Sequence, residues 1–154
     1  MGFREAIEEL AQRAGIPIPV EAADTATPVE KDETAALGEV LGEADRCYRR
    51  WLREHPQASE AVEYLKRRGL TGEIAARFGL GFAPEGWDNL LRAIGRDETA
   101  RSRLATAGLA VRKDDGSYYD RFRHRVMFPI HDYRGRLIGF GGRVLGQGEP
   151  KYLN

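Results

Sequence analysis

The closing stretch of the chain, "RVMFPIHDYRGRLIGFGGRVLGQGEPKYLN" (125–154), gathers the side chains best suited to holding an anion. Its glycine cluster, "GFGGRVLGQG" (139–148), is not a Walker A loop, because no Gly-Lys-Ser/Thr follows. It is not a dinucleotide fingerprint either. Val144 stands where the third glycine of G-x-G-x-x-G belongs, and no helical pattern follows. A glycine-rich strand fits better. Such a strand lets another backbone, a base or a ribose come close, or packs tightly under a helix. Arg143 and Lys151 flank it as anion donors, Tyr152 offers a stacking face and Asn154 an amide. Aromatic and basic side chains together on a sheet are a common way to hold single-stranded nucleic acid.

Other chemistries find less support. The histidines are His55, His124 and His131; the last two, seven residues apart on one expected strand, would point to opposite faces and make a poor metal pair. The one cysteine, Cys47, excludes an internal disulfide and any multi-cysteine zinc site, and fits a reducing compartment. It lies inside an expected helix among arginines, where a packing role outweighs a reactive one. No G-x-S-x-G elbow is present. Most carboxylates fall in an acidic linker or on helix surfaces, so no acid–base pair is assigned. Neither a catalytic residue nor a metal ligand is expected in the chain.

The elements that must position the basic residues follow from periodicity. Phe3, Ile7, Leu10 and Ala11 mark one face of a short helix within 1–16. Residues 17–33 carry three prolines and five carboxylates and read as an extended, mobile linker. From Thr34, Leu37, Val40, Leu41, Ala44, Tyr48, Trp51 and Leu52 form a helical stripe that Pro56 ends. A second helix starts at Ser59, at or near its N-cap, and stops at Gly69; Thr71 caps a third, over "GEIAARF". "GLGFAPEGW" reads as a short strand running into a loop, and "WDNLLRAIG" and "DETARSRLATAGL" as two more helices. After Gly108 the period shortens. "LAVRKDDGSYYD" reads as a hairpin, and "RVMFPIHDYRGRLIGFGG" as another, turning at Tyr133, Arg134 and Gly135. Pro129 places its strand at an edge or a bulge. The expected class is α+β: N-terminal helices followed by a small antiparallel sheet.

The net charge of zero conceals a polarity. Residues 1–45 hold eleven acidic and three basic side chains, and residues 46–154 hold thirteen acidic and twenty-one basic. The second part is therefore suited to an anionic partner, nucleic acid above all. No apolar run is long enough to span a membrane, and no secretory signal pattern is visible at the N-terminus.

The segment "YDRFRHRVMFPIHDYRGRLIGFGGRVLGQGEPKYLN" closely resembles the catalytic core of bacterial replicative DNA primases, the DnaG family. "EYLKRRGLTGEIAARFGLGFAPEGWDNLL" (63–91) is similar to the preceding part of that core, and "FREAIEELAQRAGIPIP" (3–19) to the segment after the family's zinc-binding ribbon. The resemblance implies a fragment: a helix from the end of the zinc-binding region (1–16), a linker (17–33) and the N-terminal subdomain of the polymerase core (34–154). The Toprim subdomain, whose carboxylates bind catalytic Mg2+ or Mn2+, the Zn2+ ribbon and the helicase-binding domain would lie outside it.

By the same resemblance, Arg68 in "KRRGL" matches a template-binding basic residue. Arg143 and Lys151 match residues that contact nucleic acid and nucleotide phosphates, and Tyr152 and Asn154 complete that motif. Arg121, Arg123 and Arg125, in "DRFRHR", match a basic run beside the groove. His124 stands where relatives often carry an acid, and 146–149 is a variable turn. The implied parent is a cytoplasmic primosome enzyme, a nucleotidyltransferase that makes short RNA primers on single-stranded DNA. Its implied partners are the template, ribonucleoside triphosphates, the Toprim subdomain and the replicative helicase. A fragment without the Toprim carboxylates would be inactive alone. A free-standing nucleic-acid-binding module and a structural brace for the Toprim fold are the alternatives.

Overall fold

The computed structural model describes residues 28–145 and 151–153. The expected helix at 1–16, the first part of the linker, the 146–149 turn and Asn154 lie outside the described residues. Helix α1 spans Pro28–Glu54, so it begins inside the stretch expected to be linker. Proline suits a first helical position, where its missing N–H leaves no bond unmade. Composition alone did not separate an acidic linker from an acidic first turn, which the helix dipole favours.

Leu41, Ala44, Cys47 and Tyr48 form the buried stripe of α1. Burial pushes the Cys47 thiol pKa up, against the pull of nearby Arg50, so the thiol stays protonated and packs as an apolar group. A 3-10 turn at Pro56–Ala58 leads into α2, Ser59–Arg67. Ala58, not Ser59, holds the N-cap position of α2, and it makes no side-chain cap bond. Gly69 ends the helix at φ +78°, with Leu70 N–H donating back to Leu65 O at 2.9 Å. Helix α3, Gly72–Arg77, is capped as expected: Thr71 Oγ1 accepts from Ile74 N–H at 3.1 Å.

Strand β1 (Gly81–Ala83) leads to helices α4 (Asn89–Ile94) and α5 (Glu98–Thr106). The hairpin of β2 (Ala110–Arg112) and β3 (Tyr118–Asp120) forms a separate two-stranded sheet. The main sheet contains β4 (Arg125–His131), β5 (Leu137–Val144) and β6 (Tyr152–Leu153), in the antiparallel order β1-β4-β5-β6. Strand β4 is thus internal, which corrects the edge reading of Pro129. The proline is accommodated because β1 reaches only Arg125–Met127, and the register with β5 shifts between Ile130 and His131.

Alternation along these strands separates two cores. On one sheet face Met127 and Phe140 meet Tyr48 of α1 with Leu90, Leu91 and Ile94 of α4. On the other, Phe82, Val126, Phe128 and Ile130 meet Ala61 and Leu65 of α2 and Ala75 of α3. The strand glycines mostly serve this packing. A Cβ on Gly81 would fall 2.6 Å from Tyr48 Cβ, and one on Gly141 would fall 2.2 Å from the Phe128 ring. Only at Gly139 is the space around a strand glycine of β5 open.

Candidate nucleic-acid interface

Register fixes where the basic residues emerge. Arg143 pairs with Val126 on β4 and with Tyr152 on β6, so Arg143 and Tyr152 are neighbours on the sheet face that α2 covers. Across from them α2 presents Tyr64, and Arg68 follows it one turn later. Together they form an alternating ladder. The Arg68 guanidinium lies 5.4 Å from the Tyr64 ring centroid, and Arg143 lies 4.9 Å from the same ring. Arg143 is also 5.8 Å from the Tyr152 ring, which Lys151 approaches at 5.9 Å. These distances fall within the reach of cation–π attraction. A groove of about 490 Å3 opens beside the ladder, lined by Glu60, Tyr64, Arg67, Arg68, Arg143 and Leu145. Its acid, Glu60, is engaged: its Oε2 lies 2.8 Å from Nε2 of His124. His124 adopts φ +53° just ahead of β4, so it is not a strand residue opposed to His131.

The basic run 121–125 does not act as a unit. Arg125 turns inward and is 5% exposed. Its Nη1 donates to the carbonyls of Gly142 at 3.2 Å and Lys151 at 3.3 Å, tying β5 to the start of β6. Burial, then the nearby Arg123 charge, lowers its pKa. Arg125 therefore holds the strand that carries Lys151 and Tyr152, and is not a groove-facing donor. Arg121 is half-exposed, with its guanidinium 5.9 Å from the Phe122 ring.

Arg123 belongs to a second cluster. It stacks 4.2 Å from the ring of Trp87 and 5.4 Å from that of Tyr119, and Lys113 lies 5.8 Å from Tyr119. Trp87 is 62% exposed. Asp120 fastens this cluster. Its carboxylate accepts from Leu90 N–H at 2.8 Å and Leu91 N–H at 3.1 Å at the start of α4. Its N–H donates to Trp87 O at 2.7 Å, and its carbonyl accepts from Arg123 Nη1 at 2.6 Å. Burial lifts the Asp120 carboxyl to about 6, against the lowering effect of the two amide bonds. Sequence reading missed Tyr64, Trp87, Tyr119 and Asp120. The four-residue spacing of Tyr64 and Arg68 on a helix was the one available signal.

A larger cavity of about 870 Å3 lies between the end of α1 and the helices α2 and α3. Leu52, Val62, Leu65, Leu70 and Leu80 line it, and it lies away from Arg143 and Tyr152. Among the described residues no group of three or more His, Cys, Asp or Glu comes together to hold a metal ion. No described helix is long and apolar enough to cross a membrane.

Fold and site define an α+β domain whose sheet carries cations interleaved with aromatic rings beside an open groove. Residues 47–154 match the family described as DNA primase catalytic core, N-terminal domain, and the chain belongs to that family. DNA primase of Pseudomonas aeruginosa is 53% identical over 99% of the chain, and that of Escherichia coli K12 is 47% identical over 99%. The chain spans about a quarter of those relatives' length, 23% and 26% respectively. Among solved structures, a DnaG primase catalytic domain bound to ssDNA superposes with a TM-score of 0.76 at 49% identity, covering 80% of this chain and 40% of that one. A DNA primase domain from Pseudomonas aeruginosa gives 0.73 at 58% identity, covering 77% and 37%.

Proposed function

We propose that this chain is the template- and nucleotide-holding part of a DNA primase. The whole enzyme would lay short RNA primers on single-stranded DNA for replication. The observation that carries the reading is the ladder Arg68–Tyr64–Arg143–Tyr152–Lys151 beside an open groove. Among the described residues no carboxylate is paired with its three cations. Lysine and arginine bind phosphates by releasing counterions, and arginine adds bidentate geometry. The similar catalytic domain described as bound to ssDNA supports the same reading.

In this reading the residues position and do not react. The cations hold the template backbone and the triphosphate of the incoming ribonucleotide, and the exposed Trp87 ring offers a face to a base. Catalytic Mg2+ or Mn2+, held by Toprim carboxylates outside this chain, would lower the barrier by stabilising charge on the attacking and leaving oxygens. The chain alone would then be inactive. Zn2+ would sit in the ribbon, the helicase would bind the C-terminal domain, and the enzyme would work in the bacterial cytoplasm.

The test is fluorescence anisotropy of labelled single-stranded DNA across a salt series, with an Arg143→Ala/Lys151→Ala variant alongside. Binding that weakens with salt, with a slope shallower by about 1.4 in the double variant, is the expected outcome. Equal binding by both proteins would defeat the reading and leave the Toprim brace in its place.

A further inference from the structure

Tyr64 is the shared neighbour of two cations that come from different elements. Arg68 follows the C-terminal end of α2, and Arg143 projects from β5. Two guanidiniums gathered on one ring repel each other. Among the described residues no carboxylate pairs with either, and Glu60 on the same groove wall is engaged by His124. Both guanidiniums lie against one aromatic ring, at 5.4 Å for Arg68 and 4.9 Å for Arg143.

The Arg143 side chain is further restrained. Its Nη1 donates to the Val144 carbonyl, and its Nε is buried with no acceptor among the described residues. A buried donor without a partner is unfavourable, and it persists only where the surroundings hold it. The ring faces of Tyr64 and Tyr152 are those surroundings, and cation–π attraction strengthens when the cation is desolvated.

We propose that Tyr64 is a positioning residue for the anion site. Its ring face, and not its hydroxyl, sets the separation of Arg68 and Arg143, so that both are aimed into the groove before a phosphate arrives. Such preorganisation raises affinity because no side-chain ordering remains to be done on binding. The inference rests on the functional reading above and adds a residue to it. The shared chemistry is phosphate, from a triphosphate or from the template backbone.

The experiment compares Tyr64→Leu, Tyr64→Phe and Arg143→Ala in the intact enzyme that carries this chain. Three quantities are measured: the KM for ribonucleotides with kcat, single-stranded DNA affinity by anisotropy, and Tm. Tyr64→Leu is expected to weaken one of the two binding steps about five- to tenfold, with kcat and Tm nearly unchanged. Tyr64→Phe should stay within about twofold of the parent, since it keeps the ring. A rise in KM alone assigns the site to the triphosphate, and a loss of DNA affinity alone assigns it to the template. If Arg143→Ala weakens binding and Tyr64→Leu does not, the inference about Tyr64 is overturned and the functional reading stands. Equal losses in the Leu and Phe variants, or a lowered Tm in both, overturn it too. If Arg143→Ala is also silent, the functional reading itself fails, and the inference with it.

Discussion

The molecule builds two clusters of arginine and aromatic rings, and they are held differently. In the ladder no carboxylate among the described residues pairs with the cations, and the groove beside them is open. In the Trp87 cluster Arg123 already donates to the Asp120 carbonyl and is packed on two rings, while the exposed surface is the indole itself. The same residue types thus offer charge in one place and a flat aromatic face in the other. A strand of nucleic acid needs both, phosphate contacts for affinity and stacking faces for its bases. Both arginines donate to a backbone carbonyl and pack on two rings; the difference lies in the rings, half-buried tyrosines of α2 and β6 beside Arg143 and the exposed Trp87 indole beside Arg123.

The largest expected effect breaks the second cluster at its anchor. Asp120 has a folded pKa of about 6 against an ordinary value of 3.8, with burial as the main cause. A carboxyl whose pKa is raised on folding contributes stability below its unfolded value, and that contribution is lost as pH rises through the folded value. Asp120 should therefore make the chain less stable between pH 4 and pH 7, by up to about 3 kcal/mol at 1.36 kcal/mol per pKa unit. Asp132 does not oppose this within that window. Burial raises its pKa, but bonds from the Arg136 and Arg134 amides and the Arg136 side chain outweigh it, so it is already ionised above pH 4. Asp120→Asn should flatten the decline in denaturant unfolding curves over that range. An unchanged pH profile would detach Asp120 from the stability of the Trp87 cluster.

Much of this architecture was legible in sequence, for local reasons. The Thr71 cap, the Gly69 stop and the turn at 133–135 depend on neighbours within four residues, and each appears where its residue types place it. The α+β class followed from the change of period after Gly108. The failures are non-local. The resemblance implied one basic run at 121, 123 and 125, but His124 at φ +53° precedes the strand there, and Arg125 is buried while Arg123 packs on Trp87. The glycines of β5 fitted either close approach of a ligand or tight packing, and only register decides for packing at Gly141, opposite Phe128, whose ring fills the space. Tyr64 gained its meaning only when β5 and β6 arrived across from it. Arg143 lines the groove and Lys151 lies by the Tyr152 ring, whereas Arg125 ties their strands together.

The next effect sharpens the contrast of charge and stacking. Trp87→Ala should weaken single-stranded DNA binding by about 1–3 kcal/mol, the range for loss of one base–aromatic stack. It removes no cation, so the slope of log affinity against log salt should stay as it was. Arg143→Ala should instead make that slope shallower by about 0.7, one phosphate contact on a single strand. A common anisotropy titration of both variants over a salt series separates them. If Trp87→Ala changes the slope as much as Arg143→Ala does, the two clusters do not divide charge from stacking.

The smallest effect comes from Arg121, which belongs to neither cluster. It is half-exposed and leans on Phe122, with no carboxylate paired to it among the described residues. A solvent-screened charge of this kind contributes about 0.2–1 kcal/mol. Arg121→Ala should therefore lower single-stranded DNA affinity by about 1.4-fold to fivefold if the strand passes it on the way from one cluster to the other. A double variant with Trp87→Ala then tells more than the single one. Independent, additive losses would mean that Arg121 and Trp87 touch the same strand at separate points. No loss from Arg121→Ala, at any salt, would mean that a strand engaging both clusters runs past the other side of the β3–β4 connection, and that the ladder supplies the phosphate contacts without it.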